Sequence, residues 1–584
     1  MNILYNMLKK EGVNGIDGEK KKNKKSFDFE MIRNEYRRYT NSAMKLEFDR
    51  RQVENDSIWK MRHKNGIKGE SDKVRAKSGY IFNAVIQKHA DAMDNYPEIN
   101  ILPREAGDID EAKTLTKVIP CVMDLCDFKK TYSDNWYAKL KNGTAVYGVF
   151  WNPSLYFGLG DIEIKKIDIV NLAFEPGVSD IEESKYIFYT YSVSKESFIS
   201  EYGGIDGAEF ASPEDKKYNQ NDTEFISERV KVIDCYYKKP LGGASVVHFL
   251  KFSGKKILYS SEKEGKESFY AHGYYPFVFD VLYPYEDSPL GFGIVDVLYH
   301  TQTQVDKLDE MILKNASLCS GGKILASKSL GINKAEILNA ENEYVEFDGA
   351  GINDSNFKEF RPSPIPQSVV GYRDTKISEI KEVIGNRDFQ QGGTQGGVTA
   401  ASAITVLQAA GDKLTRDYID ASYRAYRKIT LLVIELIRQF YSIERNFRIT
   451  GGDVPEFVRY DNTNIAVRST GKTNADGITE NGQTFRKPEF DVVLSVQKKN
   501  PYTREMQNQT IIELLKAGLF NPQNIDVSLI VLDALQFEGK ENIIEKLSAL
   551  ANKQKNMQNM QGVQDMQNTQ DVPNAQTLAE VMGN

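Results

Sequence analysis

What this chain lacks narrows its possible functions. Its 584 residues include only four cysteines, Cys121, Cys126, Cys235 and Cys319. They are scattered, and no pair at metal-ligand spacing faces a second pair, so no zinc site is expected. They read as reduced thiols, which fits an intracellular setting. No stretch of eighteen or more apolar residues occurs, so no membrane span is expected. Met1–Lys10 has no apolar run of the kind a secretory signal carries. Five histidines, His63, His89, His248, His272 and His300, fall on different elements. No HExxH, GxSxG or nucleophile-plus-base grouping is present. Positive charge is outnumbered, 75 Lys and Arg against 82 Asp and Glu, for a net charge of −7. A protein that grips nucleic acid broadly is usually basic. An acidic one can still let nucleic acid slide past. The expectation is therefore a protein with no enzymatic role, no cofactor and no metal.

What is present begins with length and aromatic residues. A chain this long buries large cores and holds several domains or sub-domains. Tryptophan is scarce at 3, but 31 tyrosines and 29 phenylalanines supply bulky core groups. The most informative segment is a glycine-rich loop, Asn386-Arg387-Asp388-Phe389-Gln390-Gln391-Gly392-Gly393-Thr394-Gln395-Gly396-Gly397. It separates a helix-like stretch, about Gln367 to Ile384, from a longer one, about Thr399 to Tyr441. Such a loop is either a phosphate cradle, a moving contact surface or an ordinary flexible surface loop. A P-loop needs a preceding strand and GK[ST] at its end. Here Val398, Thr399 and Ala400 follow the glycines. The preceding segment is helical in pattern, with Val370, Ile377, Ile380 and Ile384 at spacings of seven, three and four. Elsewhere, Ser317 stands where a P-loop ahead of Gly322-Lys323 needs its first glycine. Gly291-Phe292-Gly293 lacks the third glycine of a dinucleotide fingerprint. The phosphate-cradle reading is the weakest of the three.

The periodicities give an α+β chain. Lys20-Lys21-Lys22-Asn23-Lys24-Lys25 reads as a solvated arm or as an electrostatic contact with nucleic acid. Phe27 to about Asn142 is mostly helical. Phe29, Ile32, Tyr36 and Tyr39 form one apolar stripe, and Phe82, Val85, Ile86, His89, Ala90 and Met93 a second, with His89 as a packed core histidine. Pro97 ends that helix and an extended Glu98–Leu102 piece follows. Ala145–Trp151 reads as a buried strand, and Asp161–Lys165 alternates like an edge strand. Val230–Lys238, Ser245–Phe252, Lys256–Ser260 and Phe277–Leu282 read as an antiparallel meander, with turns at Pro240–Gly243 and Ser253-Gly254.

A helix follows Ser288-Pro289-Leu290-Gly291, from Val295 to about Ser317, with Gln302, Gln304, Asp306 and Asp309 on its polar faces. Paired acids such as Asp309-Glu310 read as solvated. Cys319–Glu359 gives short β-like pieces, such as Tyr344–Phe347. Pro362, Pro364 and Pro366 then form a stiff extended stop. The long helix carries a stripe from Ile404 through Leu414, Tyr418, Ala425 and Ile429 to Phe440. Over about 43 residues it would span about 65 Å. Its second half is apolar on more sides and is expected to be buried, while its first half is rich in alanine. Phe447–Val496 is strand-rich, and Thr503–Ala517 and Asn542–Lys553 are helical. From Asn556 the sequence is rich in Gln and Asn, as a disordered or weakly helical tail would be.

This order of parts resembles the portal protein family (head-to-tail connectors) of tailed double-stranded DNA bacteriophages, over roughly Phe27 to Leu550. The residues that carry the resemblance are Asp287-Ser288-Pro289-Leu290-Gly291-Phe292-Gly293 opening a helix, then a β excursion, a second helix, a polar loop and a long helix. Thr399-Ala400-Ala401-Ser402-Ala403-Ile404 through Lys413-Leu414-Thr415-Arg416-Asp417 is similar to the region beyond that loop. Glu513-Leu514-Leu515-Lys516-Ala517-Gly518-Leu519 matches near the end. The resemblance implies a ring of twelve subunits at one capsid vertex of the virion, assembled in the host cytoplasm.

It also implies a division of the chain. A basic arm (1–26) precedes a wing (27–286, completed by a strand-rich part, 442–500). Stem helices (287–317 and 367–385) flank a β-containing clip (318–366). A tunnel loop (386–398), a long helix to the wing (399–441), a helical crown (501–555) and a Gln/Asn-rich tail (556–584) follow. The implied partners are further copies of the chain, double-stranded DNA passing without sequence readout, the terminase large subunit, a head–tail adaptor, and major capsid and scaffold proteins; no membrane is implied. The alternatives are a nuclease or NTPase whose site converges only in the fold, or another virion scaffold protein.

The loop residues suit a conduit. Strong phosphate attraction would stall moving DNA, and Gln390, Gln391, Gly392, Gly393, Thr394, Gln395, Gly396 and Gly397 carry no charge. Twelve chains at −7 each sum to −84, a repulsion screened within about 8–10 Å. Arg387 is the loop's only cation. It either touches phosphates transiently or pairs with Asp388 or a stem carboxylate.

Overall fold

The computed structural model describes residues 28–62, 77–211, 229–241, 244–321, 323–326, 357–360, 363–385, 413–449, 456–466, 468–470, 484–496 and single positions between 508 and 531. The described helices are α1 (Phe29–Thr40), α2 (Ala43–Trp59), α3 (Tyr80–Asp94), α4 (Ile109–Leu125), α5 (Phe128–Asn142), α6 (Lys195–Tyr202), α7 (Ile294–Gly321), α8 (Gln367–Ile384) and α9 (Lys413–Phe440). The strands run β1 (Pro97–Pro103), β2 (Thr144–Asn152), β3 (Asp161–Ile167), β4 (Leu172–Phe174), β5 (Tyr186–Ser194), β6 (Glu209–Phe210), β7 (Arg229–Leu241), β8 (Ala244–Ser253), β9 (Lys256–Ser260) and β10 (Phe277–Val281). After them come β11 (Tyr283–Pro284), β12 (Gly291–Phe292), β13 (Lys323–Ala326), β14 (Phe357–Phe360), β15 (Arg445–Ile449), β16 (Glu456–Tyr460), β17 (Arg468–Thr470), β18 (Thr484–Arg486) and β19 (Phe490–Val496). The chain is α+β and divides into two compact units, 1–93 with 122–440, and 94–121 with 441–584.

In the first unit, Asp28 caps α1 by accepting the Met31 N–H at 3.2 Å, a side-chain partner for an otherwise orphaned donor. The helix turns Ile32 and Tyr39 onto a six-stranded antiparallel sheet, ordered β4-β5-β7-β8-β9 with β6 on β7. Phe188, Cys235, Leu250 and Phe252 complete that core. The meander expected over 230–260 is β7-β8-β9, and Gly254 takes the left-handed turn at φ 55°. Phe277–Leu282 does not join it. Instead β10 pairs with β2, Phe277 opposite Gly148 and Val281 opposite Thr144. An apolar run specifies burial but not its neighbour, and β2 is buried through Phe150 with pairing edges on both sides. β3, with alternating burial, closes the other edge as expected.

α5 and α9 pack on this three-stranded sheet. Between them Phe128 and Tyr426 meet edge to face at 5.3 Å, and Trp136 and Tyr418 at 6.1 Å. Ile429, Val433, Leu436 and Ile437 are fully buried, as expected for the second half of the long helix. Trp151 stacks on Phe440 at 4.7 Å, at the helix end. Residues 399–412, assigned to the start of this helix, lie outside the described residues.

α3 corrects the stripe read from sequence. Its buried positions are Ile81, Ala84, Val85, Lys88 and Ala92. Phe82 and Ile86 are exposed, though Phe82 stacks on Trp59 at 4.8 Å. His89 is half-buried, stacked 3.8 Å from Tyr137 and hydrogen-bonded to Ser133. The helix is apolar on two sides, so periodicity alone shifts its buried face by about one residue.

The second unit is strand-rich, as the sequence indicates for 447–496. β1 pairs antiparallel with β19 from Pro97–Val496 to Pro103–Phe490. Arg104 closes that pair on Glu489 (2.6 Å) and Asp491 (2.8 Å). β15 pairs with β16 and β17 with β18. Asn508, Ile511–Glu513 and Lys516 are helical, in line with a helix over 503–517, while 542–553 lies outside the described residues.

Candidate functional site

The candidate site is the helix pair α7–α8 and the segment between its members. The entry into α7 is tightly built. Gly293 donates its N–H to Asp296 Oδ2 at 2.7 Å, which caps the helix start. A Cβ on Gly293 would stand 2.5 Å from the Lys141 carbonyl oxygen and 2.7 Å from that of Leu140, so only glycine fits. From α2, Asn55 donates to Asp296 Oδ1 at 2.9 Å and Arg51 donates to the Gly291 carbonyl at 2.9 Å. Arg51 also lies over the Phe48 and Tyr285 rings. The sequence Ser288–Gly293 thus opens the helix as expected, because two backbones approach there and acids meet the new N-terminus.

Midway along α7, Asp306 and Gln302 are buried, not solvated. Asp306 Oδ1 accepts from the Ser78 N–H (3.0 Å), the Ser78 hydroxyl (2.8 Å) and Gln302 Nε2 (2.8 Å). They fix the N-terminus of α3 against α7. Further on, Asp309 takes the Arg373 guanidinium of α8, which raises the arginine pKa through that hydrogen bond. Glu310 is buried and pairs with Lys314 at 3.0 Å. The expectation of a solvated Asp309-Glu310 pair is therefore corrected: both carboxylates meet cations supplied by helical spacing or by the facing helix.

The two helices run antiparallel. Asp309 faces Arg373, while Asn315, further along α7, meets the residues before α8. Its Nδ2 donates to the Ser363 carbonyl (3.1 Å) and its Oδ1 accepts the Ile365 N–H (3.1 Å). Pro366 is extended at φ −58°, ψ 140°, as the proline stop requires. α7 continues to Gly321, four residues beyond the expected end, and takes in Cys319. Nothing in Leu318-Cys319-Ser320 breaks a helix, and Gly321-Gly322 does. β13 then pairs antiparallel with β14, Lys323 opposite Phe360 and Ala326 opposite Phe357. The excursion between the helices therefore starts and ends side by side. Tyr344–Phe347 lies outside the described residues.

α8 ends as the sequence indicates. Ile380 and Ile384 are buried, and Gly385 closes the helix in the left-handed conformation at φ 74°, the residue type that tolerates it. On its solvent side Ser368, Gly371, Thr375, Ser378, Lys381 and Glu382 are exposed. The loop residues Arg387, Gln390, Gln391, Gly392, Gly393, Thr394, Gln395, Gly396 and Gly397 lie outside the described residues.

Sequence reasoning missed one group behind this site. Lys139 of α5 is fully buried; its Nζ donates to Asp280 Oδ1 of β10 (2.7 Å), to the Ser422 hydroxyl of α9 (2.7 Å) and to the Tyr418 carbonyl (3.1 Å). Ser422 donates to Asp280 Oδ2 at 2.6 Å. Burial lowers the lysine pKa and Asp280 opposes that shift. The available signal was a single acid, Asp280, inside the apolar run Phe277–Leu282.

Among the described residues, no group of three or more His, Cys, Asp or Glu is placed to hold a metal, and no helix is long and apolar enough to cross a membrane. None of the four cysteines forms a disulfide. Burial pushes the Cys126 thiol up to about 12 and Cys235 well above its ordinary value, so neither is a ready thiolate.

Asn315 sets the joint between α7 and the segment before α8. Asn315→Ala removes two hydrogen bonds and should lower stability by about 1–2 kcal/mol, with faster proteolysis near residues 361–366. Limited proteolysis with mass spectrometry checks this; an unchanged cleavage pattern would contradict the assigned joint.

These features define a class: an α+β structural chain built on an antiparallel helix pair whose connecting excursion is pinched at its base by two strands. The family model described as Phage P22-like portal protein matches residues 33–583, so the chain belongs to that family. The family is structural and non-enzymatic, and it implies a capsid-associated oligomer at a virion vertex through which DNA passes. No curated protein matches the chain.

Proposed function

We propose that this chain is one subunit of a dodecameric ring at a single capsid vertex, where double-stranded DNA is packaged and later ejected. The observation that carries the reading is the α7–α8 pair, pinched by β13–β14, in a chain matched to the family almost throughout. In this reading α7 and α8 form the stem. Residues 318–366 form the clip that docks the terminase large subunit and later the head–tail adaptor. Residues 27–286 with 442–500 form the wing, in contact with major capsid and scaffold proteins, and 501–555 the crown. Residues 386–398 form the tunnel loop, with assembly in the host cytoplasm. ATP hydrolysis belongs to the docked motor. The net charge of −7 per chain supports passage of DNA without capture, because each phosphate contact adds binding that motion must break.

Mass photometry and negative-stain microscopy of purified chain test the ring. Rings of about twelve subunits with a central hole are expected. Monomers or dimers with magnesium-dependent nuclease or ATPase activity would establish the enzyme reading instead. Within the ring, twelve copies of Arg387 form one cationic girdle facing DNA. Arg387→Ala is expected to reduce genome retention or packaging yield; both unchanged, in rings of normal size, would reject a phosphate-contacting role.

A further inference from the structure

We infer that Asp234 is a proton-operated latch between two sheets of the first unit: the joint closes on the neutral carboxyl and loosens on the carboxylate. Asp234 lies on β7, inside the six-stranded sheet, opposite Tyr189 of β5 and Lys251 of β8. Strand alternation puts it on the same face as Tyr236, two residues on. Tyr236 meets Phe277 of β10 at 5.3 Å and Phe150 of β2 at 6.2 Å, and Tyr189 meets Phe277 at 6.4 Å. That face therefore packs on the three-stranded sheet, and Asp234, 9% exposed, sits beside the seam. Its Oδ1 accepts no hydrogen bond among the described residues, and its ion partner, Lys251 Nζ, stands off at 3.9 Å. Other buried acids are held differently. Asp49 meets Lys45 at 2.6 Å, Asp280 meets Lys139 at 2.7 Å, and Asp306 Oδ1 accepts from Ser78 and Gln302. Those sites are built around a charge; the one at Asp234 is not.

The titratable and charged groups around Asp234 come from every neighbouring element. Lys251 of β8, Lys165 of β3 and the Tyr191 hydroxyl of β5 favour the carboxylate, while Glu201 of α6 opposes it. Both lysines have other company: Lys165 pairs with Glu163 at 3.3 Å, and Lys251 lies 5.9 Å from the Tyr191 ring. Tyr189, Tyr202, Cys235, Tyr236 and Tyr270 are kept neutral by burial, and the Asp234 charge pushes each further up. Burial outweighs the favourable groups, and the Asp234 carboxyl is pushed up to about 6. Above that pH the carboxylate needs water or a closer Lys251, and either one disturbs the aromatic seam. An unfolded aspartate titrates at about 4, so the folded chain holds the extra proton between the two values. The stabilisation is complete below about pH 4 and is lost as pH rises through about 6.

The test compares the full-length wild type with Asp234→Asn, which fixes the neutral form. Urea unfolding is followed by tryptophan fluorescence, and hydrogen exchange by mass spectrometry with intrinsic rates corrected for pH. From about pH 5 to about pH 7.5 the wild-type unfolding constant should rise about tenfold relative to that of the variant, as one group with a midpoint near pH 6 requires. Over the same range wild-type peptides covering β5, β7 and β10 should lose protection, while those of the variant keep it. Lys251→Met, at a side chain 21% exposed, should move the midpoint to higher pH, because a cation that favours the carboxylate is gone. Parallel pH profiles for wild type and Asp234→Asn, or protection indifferent to pH, overturn the latch. So does an Asp234→Asn chain that is less stable than wild type at every pH or fails to fold, since the charge would then be required. A midpoint unmoved by Lys251→Met rejects the site around Asp234 as its source.

Discussion

Lys139→Met is expected to destabilise the first unit by about 3–5 kcal/mol, the usual cost of breaking a buried ion pair by removing one partner. The substitution keeps the volume of the aliphatic stem but leaves Asp280, itself 2% exposed, with the Ser422 hydroxyl as its remaining described partner. Three elements lose their common anchor: α5, β10 and α9. Lys139→Met with Asp280→Asn removes both charges and should recover much of the loss, since replacing a whole buried pair is often close to neutral. The chain offers a clean measurement. Its only tryptophans, Trp59, Trp136 and Trp151, all lie in the first unit, and Lys139 Nζ sits 4.6 Å from the Trp136 ring. Urea unfolding followed by tryptophan fluorescence therefore reports this unit alone. A single variant with a wild-type midpoint would show that the pair carries little of the stability; a double variant as unstable as the single would show that the loss does not come from an uncompensated Asp280 charge.

Gly293→Val should have the second-largest effect, about 3 kcal/mol or more, with loss of ring assembly. A Cβ at 2.5 Å and 2.7 Å from two backbone carbonyl oxygens cannot be relieved by a rotamer change; the start of α7 must move. That displaces Asp296 from the Gly293 N–H and from Asn55, and shifts every later contact of α7, including Asp306 with Ser78. Gly371→Ala in α8, where an added Cβ meets nothing within 4 Å, is the matched control and should assemble normally. Mass photometry at fixed concentration together with the fluorescence midpoint decides the matter. Wild-type values for Gly293→Val would mean that the tight crossing is not required.

Much of the stem was legible in sequence. Gln367–Ile384 forms a helix over those residues because Ile380 and Ile384 mark one face and Pro366 and Gly385 punctuate its ends. Ser288–Gly293 reads as an opening because proline and glycine allow a turn and a close approach. The polar contacts were not legible. Asp306, Asp309 and Glu310 look like solvent-facing acids on any helical wheel. The partners of Asp306 and Asp309, Ser78 and Arg373, lie 228 and 64 residues away in the chain. The same limit put Phe277–Leu282 in the wrong sheet.

By itself the sequence determined the local elements and the absence of a catalytic motif, because turn chemistry, apolar period and motif spacing are properties of neighbours along the chain. It also carried the family pattern. Only the tertiary structure decided that Lys139, Asp280 and Ser422 share one buried site, that α7 and α8 run antiparallel through Asp309–Arg373 and Asn315, and that the excursion between them is pinched by β13–β14. Each of those depends on which distant surfaces are removed from water together. Burial is what turns a lysine, an aspartate or an asparagine from a solvated side chain into a contact with a required partner.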